Sequence, residues 1–248
     1  MLNEDESVRY HRQMAMPDWG RAGQLKLKGA KVVVAGAGGL GSAVLTYLAV
    51  AGVGTIRIID GGEVELSNLN RQILHSEQDV GKKKVVSAKE HLESLNSSVR
   101  IEAISEMISE DNAFGLVEDL PIVDAMDNLP ARYLLNRVSL DRGLPLFHGA
   151  IHGFEGRATT LIPGRTPCLR CLYQDVLPGE IPVIGTTPGV IGCIQATEVI
   201  KYFTGMGDLL TDRMLIYDGL STEFGEVLVK RNPTCPECSG KCSSCTGA

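Results

Sequence analysis

The most constraining feature of this sequence is an uncharged stretch that runs from Lys31 to Arg57. It opens with the β-branched run Val32–Val34, passes through the glycine-rich loop Gly36–Gly41, and ends in a second apolar run. The stretch is long enough to span a bilayer, but glycines interrupt it repeatedly. A buried strand followed by a buried helix of a parallel sheet explains the same apolarity. The sequence therefore predicts a strand–loop–helix unit and no membrane segment.

The loop itself has the pattern of a nucleotide-binding site. Gly36, Gly38, Gly39 and Gly41 permit a tight turn and let backbone N–H groups approach a phosphate at the start of a helix. Asp60 ends the second strand, where an acceptor for a ribose hydroxyl is needed. A purely structural glycine turn is the alternative, but the strand–loop–helix context and Asp60 favour a nucleotide.

A short polar loop after Asp60 indicates which nucleotide to expect. It contains Asn68 and Arg71 within the segment Ser67-Asn-Leu-Asn-Arg71. A dehydrogenase would not need these residues, whereas a planar and permanently charged guanidinium suits a triphosphate better than a nicotinamide. The pattern predicts ATP chemistry, with an NAD-dependent oxidoreductase as the less favoured alternative.

Composition narrows the class of protein further. The 248 residues are 44% hydrophobic and 22% charged, with a formal net charge of −6. A broad nucleic-acid surface needs clustered basic residues, and the run Lys82–Lys84 is too short to provide one. The acidic start, Met1 to Glu6, has no apolar segment and predicts no secretory signal, so we expect a cytoplasmic protein.

Alternating strands and helices up to residue 148 predict a Rossmann-like, doubly wound α/β sheet that is mainly parallel. After Gly149 the strands are expected to be antiparallel, with one helix over 188–205. We expect one continuous sheet and a single domain, 1–248, made of a helical arm (1–30), a nucleotide-binding half (31–150) and a C-terminal half (151–248). The predicted strands are 31–35, 55–60, 99–103, 121–125, 145–148, 157–162, 213–218 and 226–230, and the predicted helices include 9–28, 41–51, 84–95 and 130–143.

Six of the seven cysteines form three Cys-x-x-Cys pairs. A knuckle of this kind is a tight turn that presents two thiolates to one ion, and two knuckles supply the S₄ coordination that Zn²⁺ prefers. The favoured structural zinc site, which would join the middle of the chain to its end, consists of Cys168, Cys171, Cys235 and Cys238.

A second arrangement stays open, because Cys242 and Cys245 could complete a local site with the pair at 235 and 238. A redox dithiol or disulfides are further alternatives, although disulfides do not suit a chain without a secretory signal. Cys193 lies within the helix predicted at 188–205 and is expected to be a small packing residue.

These motifs and several further segments follow one another in order along nearly the whole chain. In this respect the sequence resembles the ThiF/MoeB/HesA family, the prokaryotic relatives of the ubiquitin-activating enzymes. The resemblance implies adenylation of the C-terminal glycine carboxylate of a small ubiquitin-like or sulfur-carrier protein with a Gly-Gly end, using ATP and Mg²⁺. The matching segments are Arg9–Gln13, Gly36–Gly41, Asp60, Ser67–Gln72, Gly81–Lys84, Asp127-Asn128, Pro167–Cys171, Gly189–Gly192 and Arg231–Pro233.

The resemblance also implies roles for individual residues. Asn68, Arg71 and Lys84 would bind the phosphates, and Asp127, beside Asn128 in the nucleotide site, would hold Mg²⁺. Arg12 would reach the γ-phosphate in a neighbouring subunit, so a homodimer is expected. The half 151–248 would bind the partner protein.

Two departures from the family pattern affect the expected chemistry. Gly62 stands where the family often has a second acid after the ribose acid. Asp175 to Pro188 contains no cysteine, although some members carry a nucleophilic cysteine there. We therefore expect activity to stop at the acyl adenylate, with Cys242 and Cys245 as open candidates for a covalent step. A non-catalytic zinc-stapled scaffold that binds a ubiquitin-like protein is the alternative function.

Overall fold

A computed structural model of the chain describes residues 1–173 and 182–239. The N-terminal arm consists of three helices, α1 (Glu4–Arg9), α2 (His11–Met14) and α3 (Gly20–Gly29). The single helix predicted over 9–28 is therefore wrong. Pro17 disfavours helical geometry at the residue before it, and Asp18 adopts a left-handed conformation with φ of 63°. The chain turns there before α3 begins.

The remaining elements alternate between strands and helices, as predicted, from residue 31 to residue 152. In chain order they are β1 (Lys31–Ala35), α4 (Gly39–Ala51), β2 (Thr55–Ile59), α5 (Lys84–Leu95), β3 (Arg100–Ile104), α6 (Ala113–Val117), β4 (Ile122–Asp124), α7 (Leu129–Arg142), β5 (Leu146–His152), β6 (Glu155–Leu161), α8 (Leu169–Leu172), α9 (Thr186–Thr204), β7 (Arg213–Asp218) and β8 (Glu223–Leu228).

Within the described residues the strands form one eight-stranded sheet in the order β3-β2-β1-β4-β5-β6-β7-β8. The pairs from β3 to β5 are parallel, and the pairs from β5 to β8 are antiparallel. This confirms the predicted fold class. β8 begins three residues earlier than predicted, because all six of its residues are exposed and no alternation of burial marks its limits.

The core lies on both faces of the sheet, and β1 shows why. Val32 and Val34 pack into a cluster with α4 and α9, whereas Val33 and Ala35 pack into a second cluster with α7. All four side chains are fully buried. Burying a valine side chain contributes roughly 1.5–3 kcal/mol, so this strand anchors both layers and fixes the position of the loop that follows it.

Helix α9 packs on α4 at unusually close range. A Cβ at Gly192 would lie 2.7 Å from the carbonyl oxygen of Leu40, a clash that only glycine avoids.

Among the helices of the described chain, none combines the length and the apolarity required to cross a bilayer.

Candidate functional site

A cleft of about 510 Å³ opens at the carboxyl ends of the parallel strands, where the strand order turns from β1 toward β2 on one side and β4 on the other. Ligands of open α/β sheets bind at such a switch point. The structure brings many of the predicted site residues together in the walls of this cleft, namely Gly36, Gly38, Gly39, Asp60, Arg71, Lys84, Asp127 and Asn128.

The glycine loop is shaped by two close approaches. Gly36 has φ of +104°, and a Cβ there would lie 2.5 Å from the carbonyl oxygen of Ala125. A Cβ at Gly41 would lie 2.1 Å from the carbonyl oxygen of Gly36, so Gly41 lets α4 pack against the loop and does not line the cleft. Helix α4 begins at Gly39, and its first N–H groups provide the positive end that attracts phosphate.

Both carboxylate oxygens of Asp60 accept backbone hydrogen bonds. The donors are the amides of Ala37 and Gly62, each at 2.8 Å. A carboxylate has further lone pairs for ribose hydroxyls. A Cβ at Gly62 would lie 3.1 Å from Asp60 Oδ1 and 3.6 Å from the Cε of Lys84. The position of the missing second acid therefore lies beside both the Asp60 carboxylate and the Lys84 side chain on this wall.

The polar loop after β2 presents Arg71 to the cleft. The Nη1 of Arg71 donates to the carbonyl of Ser67 at 3.0 Å and to the side chain of Asn70 at 2.8 Å. Asn68 is buried, and its Oδ1 accepts from the amide of Glu65. Asn68 therefore supports the loop and does not line the cleft, and its predicted contact with phosphate stays a prediction.

Asp127 and Asn128 join β4 to α7. The Oδ1 of Asn128 caps the helix by accepting from the amide of Ala131 at 3.0 Å, and Pro130 occupies the first turn. Asp127 is exposed and lines the cleft. One exposed carboxylate beside a phosphate site is the kind of protein ligand that Mg²⁺ takes together with substrate phosphates. The residues present fit that ion.

Arg12, by contrast, is exposed on α2 and does not line the cleft of its own chain. Its predicted contact with a neighbouring subunit's nucleotide stays a prediction.

Gln72 and Arg132 line the cleft, and the sequence did not single them out as site residues. Gln72 is only 4% exposed, and its Oε1 has no hydrogen-bond partner among the described residues. Its position directly after Arg71 is the signal that could have identified it. Arg132 offered only a weak signal, because an arginine on a helix is usually a surface charge.

Arg132 belongs to a buried polar network below the cleft. Its Nε lies 3.8 Å from Asp124 Oδ1, and His148 Nδ1 lies 2.7 Å from Asp124 Oδ2. The Nε2 of His148 lies 3.1 Å from the Tyr173 hydroxyl. Burial alone would raise the pKa of Asp124, but the Arg132 charge and the His148 hydrogen bond hold it below its ordinary value. Burial lowers the pKa of His148, so the imidazole is neutral.

The four cysteines of the favoured zinc site meet in one cluster, and all four Sγ atoms lie within 4.8 Å of one another. Three of the Sγ–Sγ distances are 3.9 Å (168 to 171), 3.7 Å (168 to 235) and 3.5 Å (171 to 238). A tetrahedral ion with Zn–S bonds of ~2.3 Å requires sulfur separations of about 3.8 Å. The cluster therefore fits a zinc site. Cys242 and Cys245, on which the alternative arrangement depends, lie outside the described residues.

Hydrogen bonds around the cluster hold the two knuckles in place. The Oδ1 of Asn136 accepts from the amide of Leu169, and Arg231 donates to the carbonyl of Cys238. Burial raises the pKa of Cys168 far above its usual range and that of Cys238 to about 11. Thiolates are the ligand form, so a bound cation is what would make them stable here. Cys193 is half-buried in α9, apart from the cluster.

The sequence matches the ThiF family over residues 10–237. It is 44% identical to the SAMP-activating enzyme E1 of Haloferax volcanii, over 96% of this chain and 90% of that protein. It is 43% identical to the sulfur carrier protein adenylyltransferase of Thermus thermophilus, over 95% of this chain and 92% of that protein. An adenylyltransferase and sulfurtransferase of Zea mays, MOCS3-1, is 41% identical, and the match spans 53% of its length.

Solved structures of Escherichia coli MccB have the same fold. The crystal structure of MccB with ATP superposes with a TM-score of 0.84 and 25% identity, over 95% of this chain and 75% of that one. The crystal structure of MccB with MccA-N7isoASN gives the same TM-score and identity, over 94% and 74%. The family resemblance predicted from the motifs is confirmed by these matches, and the chain belongs to the ThiF family.

Proposed function

We propose that this protein is an adenylyltransferase that activates the C-terminal glycine carboxylate of a small ubiquitin-like or sulfur-carrier protein. The observation that carries the proposal is the single cleft that gathers the glycine loop, Asp60, Arg71, Lys84 and Asp127. Two relatives that match over nearly their full length are named as a SAMP-activating enzyme and a sulfur carrier protein adenylyltransferase. Their names support the same reaction.

ATP would lie across the carboxyl ends of the strands. The amides at the start of α4 would receive a phosphate, Asp60 would accept from the ribose, and Arg71 and Lys84 would neutralise the phosphate chain. Asp127 would hold Mg²⁺, with Asn128 beside it. When bound, the ion neutralises charge on the phosphate oxygens. The role proposed for Asn68 is indirect, since its side chain holds the loop that carries Arg71.

The chemistry requires little from protein acids or bases. A carboxylate oxygen of the terminal glycine forms a bond to the α-phosphorus, the bond from that phosphorus to the bridging oxygen of the β-phosphate breaks, and pyrophosphate leaves. No proton moves, because the nucleophile is already ionised. Negative charge grows on the phosphoryl oxygens, so preorganised cations such as Arg71 and Lys84 lower the barrier.

We further propose that the reaction ends at the acyl adenylate, because no cysteine lies between Asp175 and Pro188. The working form would be a homodimer in which Arg12 completes the partner's site. One Zn²⁺ per chain would occupy the four-cysteine cluster. The proposed compartment is the cytoplasm, which supplies ATP and keeps cysteine thiols reduced.

The test is ATP–pyrophosphate exchange with Mg²⁺ and candidate ubiquitin-like proteins that end in Gly-Gly. We expect exchange only with a cognate carrier, because formation of the acyl adenylate is reversible. The matched control is the same carrier with its terminal glycine removed, which should give none. ATP binding without exchange for any carrier would favour the non-catalytic scaffold, and turnover of NAD would favour the oxidoreductase.

A further inference from the structure

The strand order divides the cleft into two sides. Asp60, Lys84 and the segment Glu106–Ile108 lie on the side of β2 and β3. Arg132 and Ile151 lie on the side of β4 and β5, with the glycine loop after β1 between the two sides. The ribose acid and the phosphate loop assign the first side and the centre to the nucleotide. Asp127 and Asn128, which follow β4, are already assigned to Mg²⁺ and the nucleotide. The rest of the second side, around Arg132 and Ile151, is therefore available for the other reactant.

The walls of this second side suit a neutral chain with one terminal charge. Ile151 and Val183 are apolar, and Val183 pairs with Gly153 at the turn between β5 and β6. Among the described residues that line the cleft, the cations are Arg71, Lys84 and Arg132, and only Arg132 comes from the β4–β5 side. A triphosphate needs several cations, whereas a Gly-Gly tail presents uncharged backbone and one carboxylate.

Arg132 is fixed in a way that leaves part of its guanidinium for a ligand. Its Nε and Nη2 donate to the carbonyl of Met126, and Nη2 also donates to the carbonyl of Gly149 at 3.0 Å. Its bonds to other described residues use Nε and Nη2, and none of them uses Nη1. The side chain is only 10% exposed and is held by these bonds, so it is already preorganised before a ligand binds.

Asp124 and His148 set the charge behind Arg132. Asp124 is fully buried and lies against both residues, while the neutral His148 orients its carboxylate. One buried carboxylate compensates the guanidinium without using its Nη1 donors. A second carboxylate arriving from the cleft can therefore be bound by those donors, in a partly dry environment where charge-assisted hydrogen bonds are strong.

Resting on the proposed function, we propose that Arg132 is a catalytic residue that binds the C-terminal carboxylate of the carrier protein. One carboxylate oxygen accepts from Nη1, and the other forms the bond to the α-phosphorus. After pyrophosphate leaves, the first oxygen is the carbonyl oxygen of the acyl phosphate and keeps its hydrogen bond to Arg132. The residue thus orients the nucleophile and contributes to recognition of the carrier, but not of ATP.

The test uses the carrier that supports ATP–pyrophosphate exchange with the unmodified protein, prepared with a C-terminal carboxylate and with a C-terminal carboxamide. Binding of both forms is measured by calorimetry in the presence of an ATP analogue that cannot be cleaved between its α- and β-phosphates. We expect the unmodified protein to prefer the carboxylate by roughly tenfold or more, the strength of a hydrogen bond to a charged group. In Arg132→Gln this preference should fall below about threefold, with the affinity for the ATP analogue unchanged.

Arg137→Gln is the matched control, since Arg137 lies on the same helix and forms an exposed ion pair with Glu110. It should keep the full preference. Arg132→Lys preserves the buried charge if the glutamine variant fails to fold. It should also lose most of the preference, because one compact ammonium cannot bond to the backbone carbonyls and also place a donor at the position of Nη1. A folded Arg132 variant that retains the preference would overturn this inference. If no carrier supports exchange with the unmodified protein, the proposed function itself fails.

Discussion

The carboxylate of Asp60 accepts a hydrogen bond from the backbone amide of Ala37 at 2.8 Å, so the residue proposed to bind the ribose also holds the glycine loop. Its other oxygen accepts from the amide of Gly62 at the same distance. The carboxylate of Asp60 therefore connects the glycine loop, proposed to bind phosphate, with the wall proposed to bind the ribose.

Asp60→Asn should weaken both nucleotide binding and the fold. An amide has one oxygen, so one of the two backbone N–H groups would face an NH₂ group instead of an acceptor. We expect ATP affinity to fall about tenfold or more and the free energy of unfolding to drop by about 1–3 kcal/mol. Asp119→Asn, at an exposed ion pair with Arg142, should change neither quantity. Equal ATP affinities in both variants would remove Asp60 from the site.

Arg71→Ala and Asp127→Ala should each slow ATP–pyrophosphate exchange by about a hundredfold or more, because each removes a preorganised contact to developing charge. Circular dichroism and thermal melting should show an intact fold. Arg142→Ala is the control, since Arg142 is exposed, pairs with Asp119 and is not among the residues that line the cleft. Exchange at the unmodified rate in either site variant would contradict the assigned role.

Subunit mixing tests the proposed homodimer. Arg12→Ala and Asp127→Ala should each be inactive alone. Mixed together, hybrid dimers would contain one site with both residues intact, and part of the activity should return. Sedimentation at the assay concentration provides the second measurement, and a monomer there would end this proposal.

Metal analysis distinguishes the two cysteine arrangements. Cys168→Ser should lose its zinc and most of its stability, since a structural zinc contributes ~10 kcal/mol or more to folding. Cys193→Ser, which changes a thiol outside the cluster, should keep one Zn²⁺ per chain. Zinc that is kept in Cys168→Ser but lost in Cys242→Ser would show that the local C-terminal arrangement is correct.

The stability contributed by Asp79 should depend on pH. Burial would raise the pKa of this carboxyl, but hydrogen bonds from Ser76 and Lys82 outweigh burial and hold the pKa well below its ordinary value. The unfolded chain therefore binds a proton at higher pH than the folded protein does, and the contribution is complete above the unfolded pKa of about 4 and is lost as the pH falls below it.

The comparison is between the unmodified protein and Asp79→Asn, by urea unfolding at several pH values. The free energies of unfolding should differ by about 2 kcal/mol at pH 7, and the difference should shrink as the pH falls through 4. Protonation of the cysteine cluster affects both proteins equally and cancels. A difference that does not depend on pH would show that Asp79 is not the ionised acceptor described here.

The half made of residues 31–150 was predictable because each of its signals is local. The valine run, the glycines and Asp60 follow one another along the chain, and the structure places them at one switch point. The break in the N-terminal arm also had a local signal, Pro17, which the helical pattern around it outweighed.

Arg132 could not be identified in that way. This arginine lies on α7, and its burial depends on the carbonyl of Gly149, 17 positions later on strand β5, and on the carboxylate of Asp124. The same sequence on an exposed helix would leave this arginine in solvent. Cleft residues that are buried by tertiary contacts can therefore be identified only from the assembled structure. Cleft residues in contiguous motifs can be identified from the sequence.

The cysteine cluster has an entropic consequence for the last third of the fold. Cys171 and Cys238 are 67 positions apart, and the chain between them contains α9, β7 and β8. A cross-link that closes a loop of this size reduces the conformational entropy of the unfolded state. This loss stabilises the folded protein by about 4 kcal/mol. With a bound metal as that cross-link, the stability of these elements would follow the free metal concentration, and each tenfold depletion would cost about 1.4 kcal/mol.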